Sequence, residues 1–349
     1  MIDKFPVCVY SRHVNILIIK LIRTGIMMRA RIIGTGSCLP DKSVTNDFLS
    51  TIVETNDSWI QSRTGIKSRH LVSSETETTL SMAVTAAKAA LKDSGLLPEE
   101  IDLILVATVS SDYITPSTAC MVQKELGAAK AVAFDMNAAC SGFLFALHTA
   151  DAYFQAGIYQ TALIIGVETL SKIIDWADRS TCVLFGDGAG AAVAKASEEG
   201  IIASLQGSDG TGGGILMCRN RNNNNPYITA GTTPDYLYMD GQEVFKFAVK
   251  KVPACIQSLL AQADISASEV KYYLLHQANY RIISSIARKL KLPLEKFPSN
   301  VEHCGNTSAA SIPILLDEVH KEGRLSQGDL LLLSGFGAGL TWGASLLRW

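Results

Sequence analysis

The sequence lacks the paired cysteines that build most zinc sites and disulfide frameworks. Its eight cysteines are dispersed over 349 residues, and no Cys-x-x-Cys spacing occurs among them. His303 and Cys304 are neighbours, but no paired cluster accompanies them. Dispersed cysteines in a chain of this size are typical of reduced thiols. The pattern therefore predicts a cytoplasmic protein and argues against a metal site.

Charge of one sign and long apolar runs are also scarce. The formal net charge is -2, so nothing global favours nucleic acid as a partner. The apolar stretch "VNILIIKLIRTGIMM" is interrupted by Lys20 and Arg23, which leaves it too short for a membrane span. It also lacks a clean small-residue cleavage site. We therefore expect no membrane partner.

Residues 1–27 do not share the pattern of the rest of the chain. A typical α/β pattern starts at "RARIIGTGSCLP", directly after Met27 and Met28. We expect residues 1–27 to lie outside the working fold, and the natural start to be one of these two methionines. The intact mass of the protein expressed from its own gene tests this hypothesis, and a full-length mass would contradict it.

Short apolar runs alternate with helix-like segments from there to the C-terminus. Hydrophobic residues make up 48% of the sequence and charged residues 18%, which permits a large core. "IDLILVATV" is typical of a strand buried on both faces. "FGDGAGAAVAKA" and "FGAGLTWGASLL" echo each other. The alternation and the echo predict an α/β fold of two similar halves, residues 28–200 and 201–349.

The motif "DMNAACSGF" places Cys140 between small residues at the junction of a strand and a helix. Unpaired N–H groups at the start of a helix stabilise a thiolate and lower its pKa. The small flanking residues would let a substrate approach. Taken alone, however, the motif favours a small inert core cysteine over a nucleophile, because cysteine is often buried.

Two further motifs place polar side chains at the edges of α/β elements. In "LLHQANYRII" an apolar strand ends at His276, and in "EHCGNTSAASIP" Asn306 precedes a run that opens a helix. A satisfied core histidine and a helix-capping asparagine are the alternatives. Together with Cys140, the two residues suit thioester chemistry, since a thiolate attacks a thioester and Asn plus neutral His donate to an oxyanion. Proteolysis fits less well, because there the Asn orients the His.

Four motifs in order resemble the β-ketoacyl-[acyl-carrier-protein] synthase III family, the initiating condensing enzymes of type II fatty acid synthesis. The motifs are "DMNAACSGF", "HQANYRII", "GNTSAASIP" and "GFGAGLTWG", and "NDSWIQSRTGIKSRH" also matches. The resemblance runs from about Arg29 to Trp349. It implies a thiolase-like fold, in which two similar α/β halves form a five-layered αβαβα arrangement, and a homodimer.

The resemblance also implies a catalytic triad of Cys140, His276 and Asn306. An acyl group would pass from acyl-coenzyme A to Cys140, and malonyl-acyl carrier protein would then lose CO2. His276 and Asn306 would hold the enolate oxygen while its carbon attacks the acyl-cysteine. The N–H groups of Cys140 and Ala338 would form the second oxyanion hole. The product is a 3-oxoacyl-carrier protein, and no cofactor or metal is expected.

Positions for the two substrates carry over from the family. Trp59 and Arg179 would sandwich the adenine of coenzyme A, Arg63 would meet phosphate, and Asn279 would lie near the pantetheine arm. For Trp59 and Arg63, the residues alone favour a surface turn. A basic patch would dock the acidic acyl carrier protein, with a solvated helix face as the alternative. The residues expected at this docking surface are Lys246, Gln277, Arg281, Arg288 and Lys289.

The sequence departs from the family pattern at two places. The glycine-rich turn reads Gly337-Ala338-Gly339, where the family often has three glycines, and we expect a small effect because the backbone donor survives. Thr115 precedes Pro116, where some members have a bulky Phe that closes the acyl pocket. The smaller threonine predicts that primers longer or more branched than acetyl are accepted.

Rival enzymes and a non-catalytic protein are the alternatives. A degradative thiolase needs a second cysteine in the C-terminal glycine loop, and "GFGAG" has none. Elongating synthases use two histidines, whereas the third position here is Asn306. A non-catalytic chain-length-factor-like subunit usually lacks the cysteine. A synthase III paralogue in secondary metabolism stays open, as do the primer and the carrier protein.

Overall fold

A computed structural model describes residues 27–229 and 235–349. The predicted N-terminal extension, apart from Met27, lies outside the described residues. The strands are β1 (Arg29–Cys38), β2 (Ser43–Thr45), β3 (Ser68–His70), β4 (Leu103–Ala107), β5 (Val132–Met136), β6 (Thr161–Glu168), β7 (Gly188–Ser197), β8 (Ile201–Ser208), β9 (Leu216–Met217), β10 (Tyr238–Met239), β11 (Tyr272–Leu275), β12 (Leu330–Gly337) and β13 (Thr341–Arg348). The helices are α1 (Asn46–Leu49), α2 (Asp57–Thr64), α3 (Thr79–Ser94), α4 (Thr118–Leu126), α5 (Gly142–Gln155), α6 (Gly241–Ala263), α7 (Tyr280–Leu290), α8 (Val301–Cys304) and α9 (Ser311–Lys321).

Two main sheets carry the fold. The larger has the strand order β1-β7-β6-β4-β5, and the smaller has the order β11-β12-β13-β8. In the larger sheet β4 runs parallel to both β5 and β6, and β7 is antiparallel to β1 and β6. In the smaller sheet β11 and β12 are parallel, and β13 is antiparallel to its neighbours. The strands of the larger sheet fall within residues 29–197, and those of the smaller within residues 201–348.

Helices cover both sheets and fill the space between them. α5 and α9 lie between the two sheets, where Phe143, Leu144 and Leu316 pack against Leu105 and Leu333. α3 and α4 cover the outer face of the larger sheet, and α6 and α7 cover that of the smaller. The layers therefore alternate as helix, sheet, helix, sheet, helix. This arrangement confirms the expected α/β, five-layered fold.

Local sequence explains why the individual elements form. β4 is buried along its whole length, as its continuous apolar run predicts. α3 begins with a capping box between Thr78 and Ser81 and ends at Gly95, which takes the left-handed φ of 71°. None of the helices in the described part of the chain is long and apolar enough to cross a membrane.

Candidate active site

The turn that carries Cys140 joins β5 to α5. A short 3-10 turn spans Ala139–Ser141, and Ala139 has a left-handed φ of 46°. Gly337 at the end of β12 packs directly on this turn, since a Cβ there would lie 2.6 Å from the Cys140 nitrogen. The Thr341 hydroxyl donates to the Ala138 carbonyl at 3.1 Å. The Cys140 turn and the glycine-rich turn of the second half therefore pack against each other.

In the resting site, Cys140 is a protonated thiol rather than a thiolate. The residue is 8% exposed, and burial raises the pKa of Cys140 to about 12. A hydrogen bond from the Ser308 hydroxyl lowers this pKa, and the nearby Glu168 carboxylate raises it. The shift is opposite to the lowering expected from a helix start. The physical reason is that desolvation of a buried thiolate outweighs the hydrogen bonds that favour it.

His276 follows β11, and both its backbone and its ring make hydrogen-bond contacts. Its backbone N–H donates to the Ser334 carbonyl at 2.8 Å, and its ring Nδ1 lies 3.0 Å from the Ser311 Oγ. That oxygen also accepts from the Gln277 N–H at 2.7 Å. Among the described residues, Nδ1 is the acceptor within reach of the Ser311 hydroxyl proton, so the hydroxyl donates to Nδ1. The imidazole proton then sits on Nε2.

Burial keeps this imidazole neutral. His276 is 2% exposed, and desolvation lowers the pKa of His276 to about 3. The ring packs edge-on against Phe336, with 5.3 Å between ring centroids. A neutral imidazole with a proton on Nε2 can donate a hydrogen bond from Nε2 but carries no positive charge.

Asn306 is oriented by its backbone and by its own side chain. Its N–H donates to the Leu184 carbonyl at 2.9 Å, and its carbonyl accepts from Gly186 at 3.0 Å. Its Oδ1 accepts from the Ser308 N–H at 2.9 Å. Within residues 27–229 and 235–349, no acceptor bonds the Asn306 Nδ2. The amide is therefore fixed with its donor end available to a ligand.

β12 and the turn after Asn306 link the three predicted residues, but of the three only Cys140 is among the residues that line the cavity described below. Phe336 contacts the His276 ring, and the next residue, Gly337, contacts Cys140. A cavity of about 1280 Å³ opens at Cys140. Other residues that line it are Asn137, Ala138, Ser308, Ala338, Gly339 and Thr115. The cavity therefore leaves space beside the Cys140 thiol.

The predicted coenzyme A residues also cluster. The guanidinium carbons of Arg63 and Arg179 lie 5.0 and 5.3 Å from the Trp59 ring centroid. Both guanidinium groups therefore lie within cation–π distance of the same indole ring. Asn279 caps α7 through Oδ1 and donates to the Arg63 carbonyl at 3.1 Å, so it links α7 to this group.

Four of the five predicted docking residues are exposed on the outer helices α6 and α7. Lys246 pairs with Glu243 at 2.6 Å, and Lys289 donates to the Val249 carbonyl at 2.8 Å, which joins the two helices. Arg281 and Arg288 are exposed on α7.

Gln277 does not belong to this docking surface. It is 1% exposed, and its Oε1 accepts from Ser299, Asn300 and Val301. The prediction of a docking role is corrected, because a side chain enclosed in this way cannot meet a partner protein. Gln277 instead holds the segment before α8.

Several residues at the site were not anticipated from the sequence. Ser308 and Ser311 stand inside the quoted "GNTSAASIP" motif, and their hydroxyls touch Cys140 and His276. Glu168, a polar residue at the end of the apolar run "TALIIGVE", bonds Ser308 at 3.1 Å. A charged residue at the end of a buried strand is the signal that could have found it.

The pair His303 and Cys304 gains a third polar neighbour in the fold. Glu318 Oε1 lies 3.3 Å from the His303 Nε2 and 3.9 Å from the Cys304 sulfur. The interaction with Glu318 raises the pKa of His303. The expectation that His303 and Cys304 have no metal-ligating neighbour is therefore corrected. His303 and Glu318 have the geometry of an ion pair, and the buried Cys304 thiol lies beside Glu318.

Comparisons with known proteins bear on the whole chain. Family models for the two parts of 3-oxoacyl-[acyl-carrier-protein (ACP)] synthase III match residues 134–210 and 260–349. A β-ketoacyl-[acyl-carrier-protein] synthase III of Clostridium acetobutylicum is 49% identical over 325 residues, which cover 93% of this chain and 99% of that one. The chain belongs to the β-ketoacyl-[acyl-carrier-protein] synthase III family.

Further relatives of this synthase III agree. A β-ketoacyl-[acyl-carrier-protein] synthase III from Synechococcus sp. (strain WH7803) is 50% identical and spans 91% of this chain and 95% of that one. The crystal structure of the 3-oxoacyl-[acyl-carrier-protein] synthase III from Aquifex aeolicus VF5 has a TM-score of 0.85 at 46% identity. It covers 92% of this chain and 100% of that one. The thiolase-like fold and the acyltransferase class are thereby confirmed.

Proposed function

We propose that this synthase III uses Cys140 as the acyl-carrying nucleophile, with His276 and Asn306 as donors to the enolate of the second substrate. The observation that carries the proposal is that Ser311 and Ser308 orient the His276 ring and the Asn306 amide, while β12 links the His276 ring to the Cys140 turn through Phe336 and Gly337. Asn306 Nδ2 has no acceptor in the described part of the chain, and His276 holds its proton on Nε2. The reaction is β-ketoacyl-[acyl-carrier-protein] synthesis from acyl-coenzyme A and malonyl-acyl carrier protein.

In the first half-reaction, the Cys140 sulfur attacks the thioester carbonyl of acyl-coenzyme A. The C–S bond to Cys140 forms, and the tetrahedral intermediate places its oxyanion near the N–H groups of Cys140 and Ala338. The C–S bond to coenzyme A then breaks. The Cys140 proton leaves on coenzyme A thiol, so the step is balanced. The raised pKa of the buried thiol keeps this proton on Cys140 until the substrate is bound, and the coenzyme A sulfur takes it up as it leaves.

In the second half-reaction, malonyl-acyl carrier protein loses CO2. The electron pair of the broken C–C bond moves into an enolate, whose oxygen accepts hydrogen bonds from His276 Nε2 and Asn306 Nδ2. The enolate carbon attacks the acyl group on Cys140, the C–S bond to Cys140 breaks, and the released thiolate takes up a proton from solvent water. Because the lost carboxylate supplies the electron pair and the thioester carries the acyl group, the sequence of steps needs no cofactor or metal.

The basic surface on α6 and α7 supports docking of acyl carrier protein, an acidic partner. We assign this role to Lys246, Arg281, Arg288 and Lys289, all of which are exposed. Trp59, Arg63, Arg179 and Asn279 form the proposed coenzyme A site. In this site the guanidinium groups of Arg63 and Arg179 both lie over the Trp59 ring.

The edge of the larger sheet supports a homodimer. β5 has no partner strand on its outer side among the described residues, and Val132 at its start is 47% exposed. Tyr113 and Ile114 add apolar side chains that are 56% and 65% exposed. Exposed edge strands and apolar patches of this kind favour pairing with a second copy. A monomer in sedimentation velocity at micromolar concentration would contradict the dimer.

A cytoplasmic location is part of the same proposal. Seven described cysteines form no disulfide with one another. Reduced thiols of this kind are usual where glutathione and thioredoxin keep cysteines reduced.

The acyl pocket is proposed to take primers longer or more branched than acetyl. Thr115 lines the cavity that contains Cys140, and its side chain leaves space that a Phe would fill. Relative rates with acetyl-, isobutyryl- and octanoyl-coenzyme A test the proposal, with Thr115→Phe as the matched variant. We expect the variant to lose the two larger primers first. A strict acetyl preference of the unaltered enzyme would refute the proposal.

The overall reaction is tested by the mass of the product formed from malonyl-acyl carrier protein and each primer. A 3-oxoacyl product two carbons longer than the primer is expected, because decarboxylation leaves two of the malonyl carbons. Transfer of the unextended acyl group to another acceptor would favour the paralogue of secondary metabolism instead.

A further inference from the structure

Glu168 is a buried carboxylate that the steps above do not use. It ends β6 in the first half of the chain and is 0% exposed. Its Oε2 accepts from the Val109 N–H at 3.1 Å, the Thr108 hydroxyl at 3.3 Å and the Ser110 hydroxyl. Its Oε1 accepts from the Ser308 hydroxyl at 3.1 Å. A buried carboxylate is stable only when donors surround it, and four donors converge here.

Ser308 stands between Glu168 and both proposed catalytic groups. Its N–H donates to the Asn306 Oδ1 at 2.9 Å, its hydroxyl proton goes to Glu168, and its side chain lowers the pKa of Cys140. Its backbone has a φ of 49°, in the left-handed region that serine rarely adopts. A bond that holds Ser308 in this conformation therefore also holds the direction of the Asn306 amide.

We propose that Glu168 is a positioning residue that holds Ser308, so that the Ser308 N–H aims the Asn306 amide and the Ser308 hydroxyl faces Cys140. The inference rests on the proposed roles of Cys140 and Asn306. In physical terms, the hydrogen bond between Glu168 and Ser308 connects the two halves of the chain. A strand end of the larger sheet fixes a turn of the second half, at the point where the acyl group and the enolate meet.

The charge of Glu168 gives the proposal a second consequence. Burial raises the pKa of Glu168 to about 7, against the lowering by its hydrogen bonds, so the carboxylate is mostly ionised at pH 8. Its negative charge raises the pKa of Cys140, and the Ser308 hydroxyl lowers it. Cys140 is the titratable group that faces Glu168. The hydrogen-bond donors to Glu168 are uncharged: the hydroxyls of Thr108, Ser110 and Ser308 and the backbone N–H of Val109.

The test compares Glu168→Gln and Ser308→Ala with the unaltered enzyme. Malonyl decarboxylation is measured without primer, and iodoacetamide alkylation of Cys140 is followed at pH 8 by peptide mass. We expect both variants to lower the decarboxylation rate by about 10- to 100-fold, because a misaimed donor loses much of its effect. Alkylation is expected to change in opposite directions, faster in Glu168→Gln and slower in Ser308→Ala, by at least about twofold each.

Asp317→Asn is the matched control. Asp317 is another 0% exposed carboxylate that accepts from hydroxyls of the other half, Thr35 and Ser37, but it contacts no group of the site. We expect this variant to lose stability while keeping the rates of decarboxylation and alkylation within about threefold of the unaltered enzyme.

The outcomes separate the inference from the proposed function. Alkylation of Cys140 needs no substrate, so it tests Glu168 even if the proposed roles of the triad are wrong. Unchanged alkylation in Glu168→Gln, or a change of the same sign in both variants, overturns the inference. If Glu168→Gln does not fold, Ser308→Ala decides alone, and normal decarboxylation in that variant overturns it. Failure of the unaltered enzyme to decarboxylate malonyl-acyl carrier protein would instead refute the proposed function.

Discussion

Removal of the Asn306 donor is the sharpest perturbation of the proposed division of labour. In Asn306→Ala, the enolate oxygen loses one of its two donors, which typically costs about 100- to 1000-fold in rate. The same change leaves the Ser308 N–H without its acceptor at 2.9 Å. A buried N–H left unpaired costs about 1–3 kcal/mol of stability. Asn306→Asp separates the two effects, since a carboxylate still accepts from Ser308 but cannot donate.

The assay follows the two half-reactions separately. Release of CO2 from malonyl-acyl carrier protein is expected to fall by about 100- to 1000-fold in both Asn306 variants. Single-turnover acylation of Cys140 by acyl-coenzyme A is expected to fall by less than about tenfold, because that oxyanion meets backbone donors. The unfolding midpoint in urea should drop in Asn306→Ala more than in Asn306→Asp. Equal loss of both half-reactions would refute the reasoning.

Three further predictions concern the pH dependence, the glycine turn and the coenzyme A site. The pKa of His276 is about 3 in the folded state and about 6.5 when unfolded, so its contribution to stability is present above pH 6.5 and is lost as the pH falls towards 3. In His276→Asn, the urea midpoint should therefore change less between pH 7 and pH 5. An unchanged pH dependence of the midpoint would contradict the buried neutral imidazole. Gly337→Ala places a Cβ 2.6 Å from the Cys140 nitrogen, so acylation should fall by at least about tenfold, with Ala338→Ser as a milder control. Trp59→Ala should raise the KM for acyl-coenzyme A by about tenfold with little change in kcat, because it removes the ring that both guanidinium groups contact. Arg179→Ala removes only one of these contacts and should raise the KM less. A change confined to kcat would be inconsistent with a binding role.

Much of the fold could be predicted because its signals are local. Strand β4 is a continuous apolar run, and α3 carries its own cap signals at Thr78 and Gly95. The candidate site was predictable in outline for a similar reason. Cys140, His276 and Asn306 each stand in a short motif at the edge of an element, and family resemblance assigns them to one site.

The rest depended on contacts between distant parts of the chain. Glu168 and Ser308 are 140 residues apart, and nothing near either residue predicts their hydrogen bond. Gln277 follows His276 directly and seemed placed for a partner, yet the segment before α8 encloses it. The expected helix after Asn306 begins only at Ser311, because a 3-10 turn with left-handed Ser308 comes first.

The thiol of Cys140 shows how burial can reverse a local expectation. The unpaired N–H groups at the start of a helix favour a thiolate and so lower the pKa of a nearby thiol. At 8% exposure, desolvation dominates and raises the pKa to about 12. Motifs locate a nucleophile, but the packing around it sets its resting protonation state.

The central claim is that Cys140 carries the acyl group, and labelling tests it most directly. The unaltered enzyme is incubated with acyl-coenzyme A, and its peptides are analysed by mass spectrometry, with Cys140→Ala as the control. The account predicts one acyl group per chain on the peptide that contains Cys140, and none on the variant. An acyl group on another cysteine, or no acyl group on the unaltered enzyme, would contradict it.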